Sequence, residues 1–306
     1  MQGLLAAING GSRASFLAAA LVALLAVIAT AAPLRGAATG EPTVLRPDRF
    51  VPIAVGSPGM VVHDNASYIQ LMQPLNANLI GTPADQVPPQ RLAFPSVAAA
   101  EQEMKRKARV PSALPPQLTG DPEVVLFTAN SASYVLDLPK MQQLMAGAGL
   151  PDVQLPTTLH GARVNVDVPA ALTMRWGTGR EALGFVQLRQ PKVTVPAEVE
   201  LPAVRELLLN HPRIEGLSPE IIAELRGIEQ WQTTVPIPVP TGAEAQPVRV
   251  DGSDGVVITS ILHEGGLHEG GLHEGSALVW QRNGSVYALT GPYEALELLA
   301  VAESLR

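Results

Sequence analysis

SALVWQRNGSVYALTGPYEALELLAVAESL, Ser276 to Leu305, is the stretch whose reading decides the fold. Two alternating runs, Ala277–Arg282 and Ser285–Thr290, flank Asn283-Gly284. An Asn-Gly pair between alternating strands predicts a tight hairpin, because both residues tolerate the positive φ of a type I′ turn. A two-residue turn also sets the register. Trp280 then faces Tyr287 and Leu278 faces Leu289, while Val279, Val286 and Ala288 lie on the other face. A helix is expected next, with Pro292 in its first turn. Ala295, Leu298, Leu299 and Ala302 recur at i, i+3, i+4 and i+7, with Glu294, Glu297 and Ser304 opposite. The unit needs a larger sheet to cover its Trp/Tyr face. It carries no evident catalytic group.

Working outward, the remaining composition narrows the classes. The chain has 306 residues, a net charge of −7 and no basic patch of the size nucleic acid requires, so no nucleic-acid partner is expected. Aromatic residues are 4% of the chain, so the core must rest on Val, Leu, Ile and Ala. The 28 prolines cut it into short elements. With no cysteine, disulfides, thiol catalysis and Cys-based zinc sites are excluded.

The N-terminus points to a membrane. Phe16 to Ala32 reads FLAAALVALLAVIATAA, with Thr30 as its only polar residue. That predicts a transmembrane anchor, with residues 33–306 outside the cytoplasm. Ala29-Thr30-Ala31 has the A-x-A form of a signal-peptidase site, so secretion after cleavage near Ala31 is the alternative.

After the anchor, Ala32–Pro47 reads as a linker, and Phe50–Val55 and Met60–Val62 as short strands. Pro74–Pro95 reads as irregular. Ser96 is placed to cap a helix over Val97–Ala108, whose basic end, Lys105-Arg106-Lys107, suits the helix dipole or a membrane surface. Glu123–Thr128 and Ala132–Leu136 are expected to pair as a hairpin, followed by a helix from Asp137 and Pro139 to about Ala148. Ala162–Val168, Ala171–Trp176, Gly184–Arg189 and Lys192–Pro196 alternate as an antiparallel meander. Gly177 to Arg180 is its hairpin turn, or a weakly signalled anion nest. Short helices are expected near Pro202–Pro212 and Ser218–Gly227, then strands at Gln232–Val239, Pro247–Val250 and Val256–Ile261. This order predicts an α+β fold: a mainly antiparallel sheet with a few packing helices, preceded by one N-terminal transmembrane helix. Three regions follow: the anchor (1–32), a linker with short strands (33–95) and the extracytoplasmic α+β domain (96–306).

Between the last of these strands and the hairpin, Leu262–Ser276 reads LHEGG LHEGG LHEGS. It supplies His263, His268 and His273 with Glu264, Glu269 and Glu274, the ligand types Zn²⁺ or Ni²⁺ takes. The zincin motif needs histidines four apart on one helical face; here the interval is five, and paired glycines oppose a helix. The repeat therefore reads as a connection lengthened by duplication, with these six as weak metal candidates and no cofactor expected. His63, His160 and His211 are isolated, and no nucleophile elbow or phosphate-binding glycine loop occurs.

Val279–Leu305 resembles the C-terminal motif of an uncharacterised bacterial extracytoplasmic domain found on membrane-anchored anti-sigma-factor-like proteins. VLRPDRFVPIAV (Val44–Val55) and VPSALPPQL (Val110–Leu118) are similar to the same group. The resemblance implies a sensory or regulatory exterior domain in the bacterial envelope, not an enzyme. Such proteins carry a cytoplasmic sigma-binding region before the span. Here about fifteen residues precede it, without Cys or His, so direct sigma-factor binding is not expected. The leading expectation is an anchored, non-enzymatic domain that binds an unknown protein or a small apolar ligand. A carrier or chaperone holding an apolar ligand against a curved sheet comes second, and a hydrolase assembled from scattered acids third.

Overall fold

The computed structural model describes residues 43–46, 49–55, 81–147, 154–197, 199, 233–240, 243–262 and 273–306. The expected anchor Phe16–Ala32, the strand Met60–Val62, the helices near 202–212 and 218–227, and repeat residues 263–272 lie outside them. Among the described residues no helix is long and apolar enough to cross a membrane.

The described chain is mainly antiparallel sheet with three short helices. Its strands are β1 (Thr43–Leu45), β2 (Arg49–Val55), β3 (Gly81–Val87), β4 (Arg91–Phe94), β5 (Glu123–Phe127), β6 (Asn130–Leu136), β7 (Arg163–Val168) and β8 (Ala171–Trp176). They continue as β9 (Leu183–Arg189), β10 (Lys192–Val195), β11 (Thr234–Pro240), β12 (Ala243–Val250), β13 (Ser253–Leu262), β14 (His273–Arg282) and β15 (Ser285–Gly291). The helices are α1 (Val97–Met104), α2 (Leu138–Gly147) and α3 (Ala295–Glu303). Eight strands form one sheet in the order β12-β13-β14-β15-β9-β8-β5-β4, and five form another, β1-β10-β7-β6-β3. The remaining pair, β2 with β11, is parallel.

The hairpin forms in the expected register. Trp280 faces Tyr287 and Leu278 faces Leu289. Asn283 and Gly284 take φ of 50° and 70°, as the turn requires. The two rings stack with centroids 5.3 Å apart. Across the sheet the apolar row continues through Val257, Leu278, Leu289, Phe185, Met174 and Val124. Gly255 sits opposite Trp280, where a Cβ would lie 2.9 Å from the Trp280 Cβ, so this strand position excludes any side chain.

What covers the aromatic face differs from expectation. The larger sheet extends the hairpin edge to edge, and helices lie over the face. α1 and α3 join Trp280, Tyr287, Phe185 and Trp176 in one core. Pro292 is not in the first turn of α3: Glu294 is the N-cap, and its backbone N–H donates to the Glu297 carboxylate at 3.0 Å in a capping box. Leu298, Val301 and Ala302 are buried, while Leu296 points outward. Ser304 lies against the strap that follows α1 (residues 105–118), donating to the Ala113 carbonyl and accepting from the Ala113 N–H. Val110 and Arg306 exchange backbone bonds, closing the strap over the core.

α1 begins at its expected cap, with the Ser96 hydroxyl accepting from the Ala99 N–H. It stops at Met104, short of Ala108, because Lys105 turns left-handed at φ 53°. The basic run then folds back. The Glu101 carboxylate accepts from Lys107 Nζ at 2.7 Å and from the Ala108 N–H at 2.8 Å. α2 runs as expected, with the Asp137 side chain accepting from the Lys140 N–H.

Four sequence expectations are overturned, in whole or in part, by pairing. The region expected to be irregular, Pro74–Pro95, contains β3 and β4, and the linker Ala32–Pro47 contains β1. Glu123–Thr128 and Ala132–Leu136 are consecutive strands but not a hairpin: β5 pairs with β4 and β8, β6 with β3 and β7. Only the centre of the expected meander holds. β8 pairs with β9 across the turn after Trp176, whereas β7 and β10 pair with each other in the five-stranded sheet.

One rule accounts for these differences. The orders β9-β8-β5-β4 and β10-β7-β6-β3 are the same four chain segments continued from one sheet into the other. Each segment crosses within a few residues: Pro88–Gln90, Thr128–Ala129, Pro169–Ala170 and Gln190–Pro191. Proline lacks the N–H a ladder needs, so Pro88, Pro89, Pro169 and Pro191 break pairing along one line. Where the line lacks a proline, a side chain intervenes: the Gln90 N–H donates to the Thr128 hydroxyl at 2.9 Å.

Candidate arginine site

Of the six metal candidates, His263, His268, Glu264 and Glu269 lie outside the described residues. His273 and Glu274 open β14, opposite Leu262 and Ile261, so the hairpin ladder runs into the last repeat unit. Among the described residues no group of three His, Asp or Glu is placed to hold a metal ion. His160 sits in the turn after Leu159, where its Nδ1 accepts from the Leu138 N–H at 3.4 Å. His63 and His211 lie outside the described residues.

The side chains that converge are arginines. One cross-strand row at the turn end of the helix-covered face runs Arg282, Ser285, Arg189. It lies one row beyond Trp280, Tyr287 and Gln187. The strap brings two more arginines over it. Arg106 donates to the Ala170 carbonyl at 3.4 Å, and Ala170 sits at the crossing line beside the β9 end that carries Arg189. Arg109 is held from its backbone: its N–H donates to the buried Gln187 side chain at 2.9 Å. Strands β9, β14 and β15 thus supply the floor, and the strap the wall.

Charge is unbalanced here. Asp251, in the turn between β12 and β13 with φ 50°, pairs with Arg282 and lies 4.0 Å from Arg109. Among the described residues no carboxylate pairs with Arg106 or Arg189. The nearby Glu101 is engaged by Lys107 and Ala108. Burial, and after it the like charge of Arg189, pull the Arg106 guanidinium below its ordinary basicity, while Tyr287 acts the other way. Arg189 is exposed, and Arg109 and Arg282 are partly so. Guanidinium groups so placed present forked donors to an anion.

Sequence reasoning did not find this cluster. Its members are scattered over residues 106–282, and the basic run at Arg106 was legible only as a helix end or a membrane-surface contact. The available signal was the row itself, since the Asn-Gly turn already places Arg282 opposite Ser285. Compared with protein-family models, curated proteins and solved structures, the chain has no significant match.

Proposed function

We propose that the chain is a membrane-anchored extracytoplasmic domain of the bacterial envelope with a non-enzymatic, sensory or regulatory binding role. The observation that carries the reading is how the sheet faces are filled. Trp280, Leu278, Leu289 and Phe185 are closed over by α1, α3 and the strap of the same chain. In the five-stranded sheet Tyr134, Val164, Val166, Val193 and Val195 are buried as well. An apolar carrier needs its curved apolar face open to cargo, whereas a binding module works from its polar exterior. The continuous apolar run Phe16–Ala32 supports the anchor. The resemblance of Val279–Leu305 to exterior domains of anti-sigma-factor-like proteins supports the regulatory role.

Two measurements test this. Full-length protein in membranes should resist an alkaline carbonate wash and be digested by protease added from outside the cytoplasmic membrane. Recovery of a soluble form starting near Ala32 would replace the anchor with a cleaved signal peptide. Purified protein should leave an apolar fluorescent probe dark. Stoichiometric uptake of the probe would favour the carrier.

A further inference from the structure

We infer that the row Arg282–Ser285–Arg189, together with Arg106 and Arg109 of the strap, is a binding site for a phosphate ester. The inference deepens the reading of the chain as a binding module and names the chemistry that module recognises.

Three observations carry it. First, among the described residues the four arginines meet one paired carboxylate, Asp251, which serves Arg282 and lies 4.0 Å from Arg109, in a chain whose net charge is −7. Arg106, half-buried, reaches the Ala170 carbonyl beside the β9 end that carries Arg189, and among the described residues no acid pairs with either. Like charges held together in a partly desolvated place are unfavourable until an anion joins them. Second, the site is supported from below. The buried Gln187 side chain accepts the Arg109 N–H, and the strap is tied to the chain end by the Val110–Arg306 backbone pair. The strap arginines are therefore positioned before a ligand arrives, which reduces the ordering cost of binding. Third, the donors differ in kind and direction. Arg189 and Arg282 stand two strands apart, about 10 Å at ordinary strand spacing, with the Ser285 hydroxyl between them on the same row. Arg106 comes from the strap. A tetrahedral phosphate offers oxygens toward sheet, hydroxyl and strap at once, whereas a planar carboxylate offers two in one plane.

A soluble phosphate monoester, with three free oxygens, and a phospholipid headgroup, a diester with two, both present an anionic tetrahedral phosphate, and the experiment separates them. Full-length protein in dodecyl maltoside is titrated calorimetrically with glycerol 3-phosphate. In a second arm, phosphatidylglycerol or phosphatidylcholine is added to the micelles and the unfolding midpoint is read, since a ligand of the native state raises it. Saturable binding in either arm is expected, weakening with added salt. The double variant Arg106→Gln/Arg189→Gln should weaken it by about tenfold or more, while Arg163→Gln, which breaks the Arg163–Asp85 pair on the five-stranded sheet, should leave it unchanged. Binding of the soluble ester assigns a free phosphate ligand. A midpoint raised by phosphatidylglycerol alone assigns a headgroup. If the double variant does not fold, the exposed Arg189→Gln alone carries the test. Absence of binding in both arms, binding unchanged by the rim substitutions, or equal weakening by Arg163→Gln would overturn the site. Such a failure leaves the carbonate and protease results standing, so the two readings fail separately.

Discussion

Trp280 is where the consequences of a single side chain are largest. It is 1% exposed, stacks on Tyr287 and lies against Gly255. Trp280→Ala leaves a cavity under α3 that rigid strands on both sides cannot collapse, so a loss of about 3–5 kcal/mol is expected. Urea unfolding measures it, and an unchanged midpoint would remove Trp280 from the core. Glu101 works through charge instead. Its hydrogen bond from Lys107, then that from the Ala108 N–H, hold its carboxyl below the ordinary Glu value of 4.5. Protons bind the folded state less readily than the unfolded one, so this contribution is present above that value and is lost as the pH falls through the carboxylate's lower folded pKa. Glu101→Gln should therefore lower the unfolding midpoint at pH 7 and have no effect near pH 2. An equal effect at both would assign the loss to packing. The Trp280–Tyr287 pairing was legible from sequence because a two-residue turn leaves no choice of register. The Glu101 contact was not, because it depends on Lys105 breaking the helix.

Elements were legible where one local rule governed them. α2, the β14–β15 hairpin and the start of α1 follow from alternation, turn residues and a serine cap. β3 was hidden because Pro83 and its polar residues suppress the strand signal, and the short β4 because Pro88, Pro89 and Pro95 flank it; both are paired by partners far along the chain. The β13–β14 hairpin belongs to the same scale. Leu262 and His273 are paired, so residues 263–272 connect the two strand ends. Deleting one LHEGG unit halves that connection and keeps the register of the paired residues. Closure entropy then changes by about 0.6 kcal/mol, in the stabilising direction. A melt of the deletion variant checks this, and a large loss of stability would mean that the repeat itself is packed. Zn²⁺ calorimetry on the parent and on a His263/His268/His273→Ala variant is the companion measurement. Weak, non-stoichiometric binding is expected, because histidines five apart between paired glycines do not have the spacing of a zinc motif. Stoichiometric submicromolar binding, lost in the variant, would make the repeat a metal centre.

Across the whole molecule, four chain segments belong to both antiparallel sheets. Neither sheet can lose its strands without pulling on the other. Unfolding should therefore be a single transition, with Trp fluorescence, which includes the eight-stranded sheet through Trp176 and Trp280, coinciding with amide exchange in the five-stranded sheet around Tyr134 and Val166. Two separated transitions would make the crossing line a domain boundary. The arginine site belongs to this scale too. Residues 106, 109, 189, 251 and 282 meet only because β9, β14 and β15 are neighbours and the strap crosses them.

By itself the sequence determined the mainly antiparallel sheet with short helices, the tight hairpin with its register, the Ser96 cap and the apolar N-terminal run. Each rests on interactions within a few residues, where backbone geometry and side-chain period leave one favourable arrangement. Only the tertiary structure decided which sheet each strand joins, that α1 and α3 cover the Trp280 face, and that Arg106 and Arg189 come together with no paired acid among the described residues. Those are outcomes of pairing between distant segments. Alternation assigns a strand two faces but names no neighbour, and the prolines that mark the crossing line look in sequence like any other break.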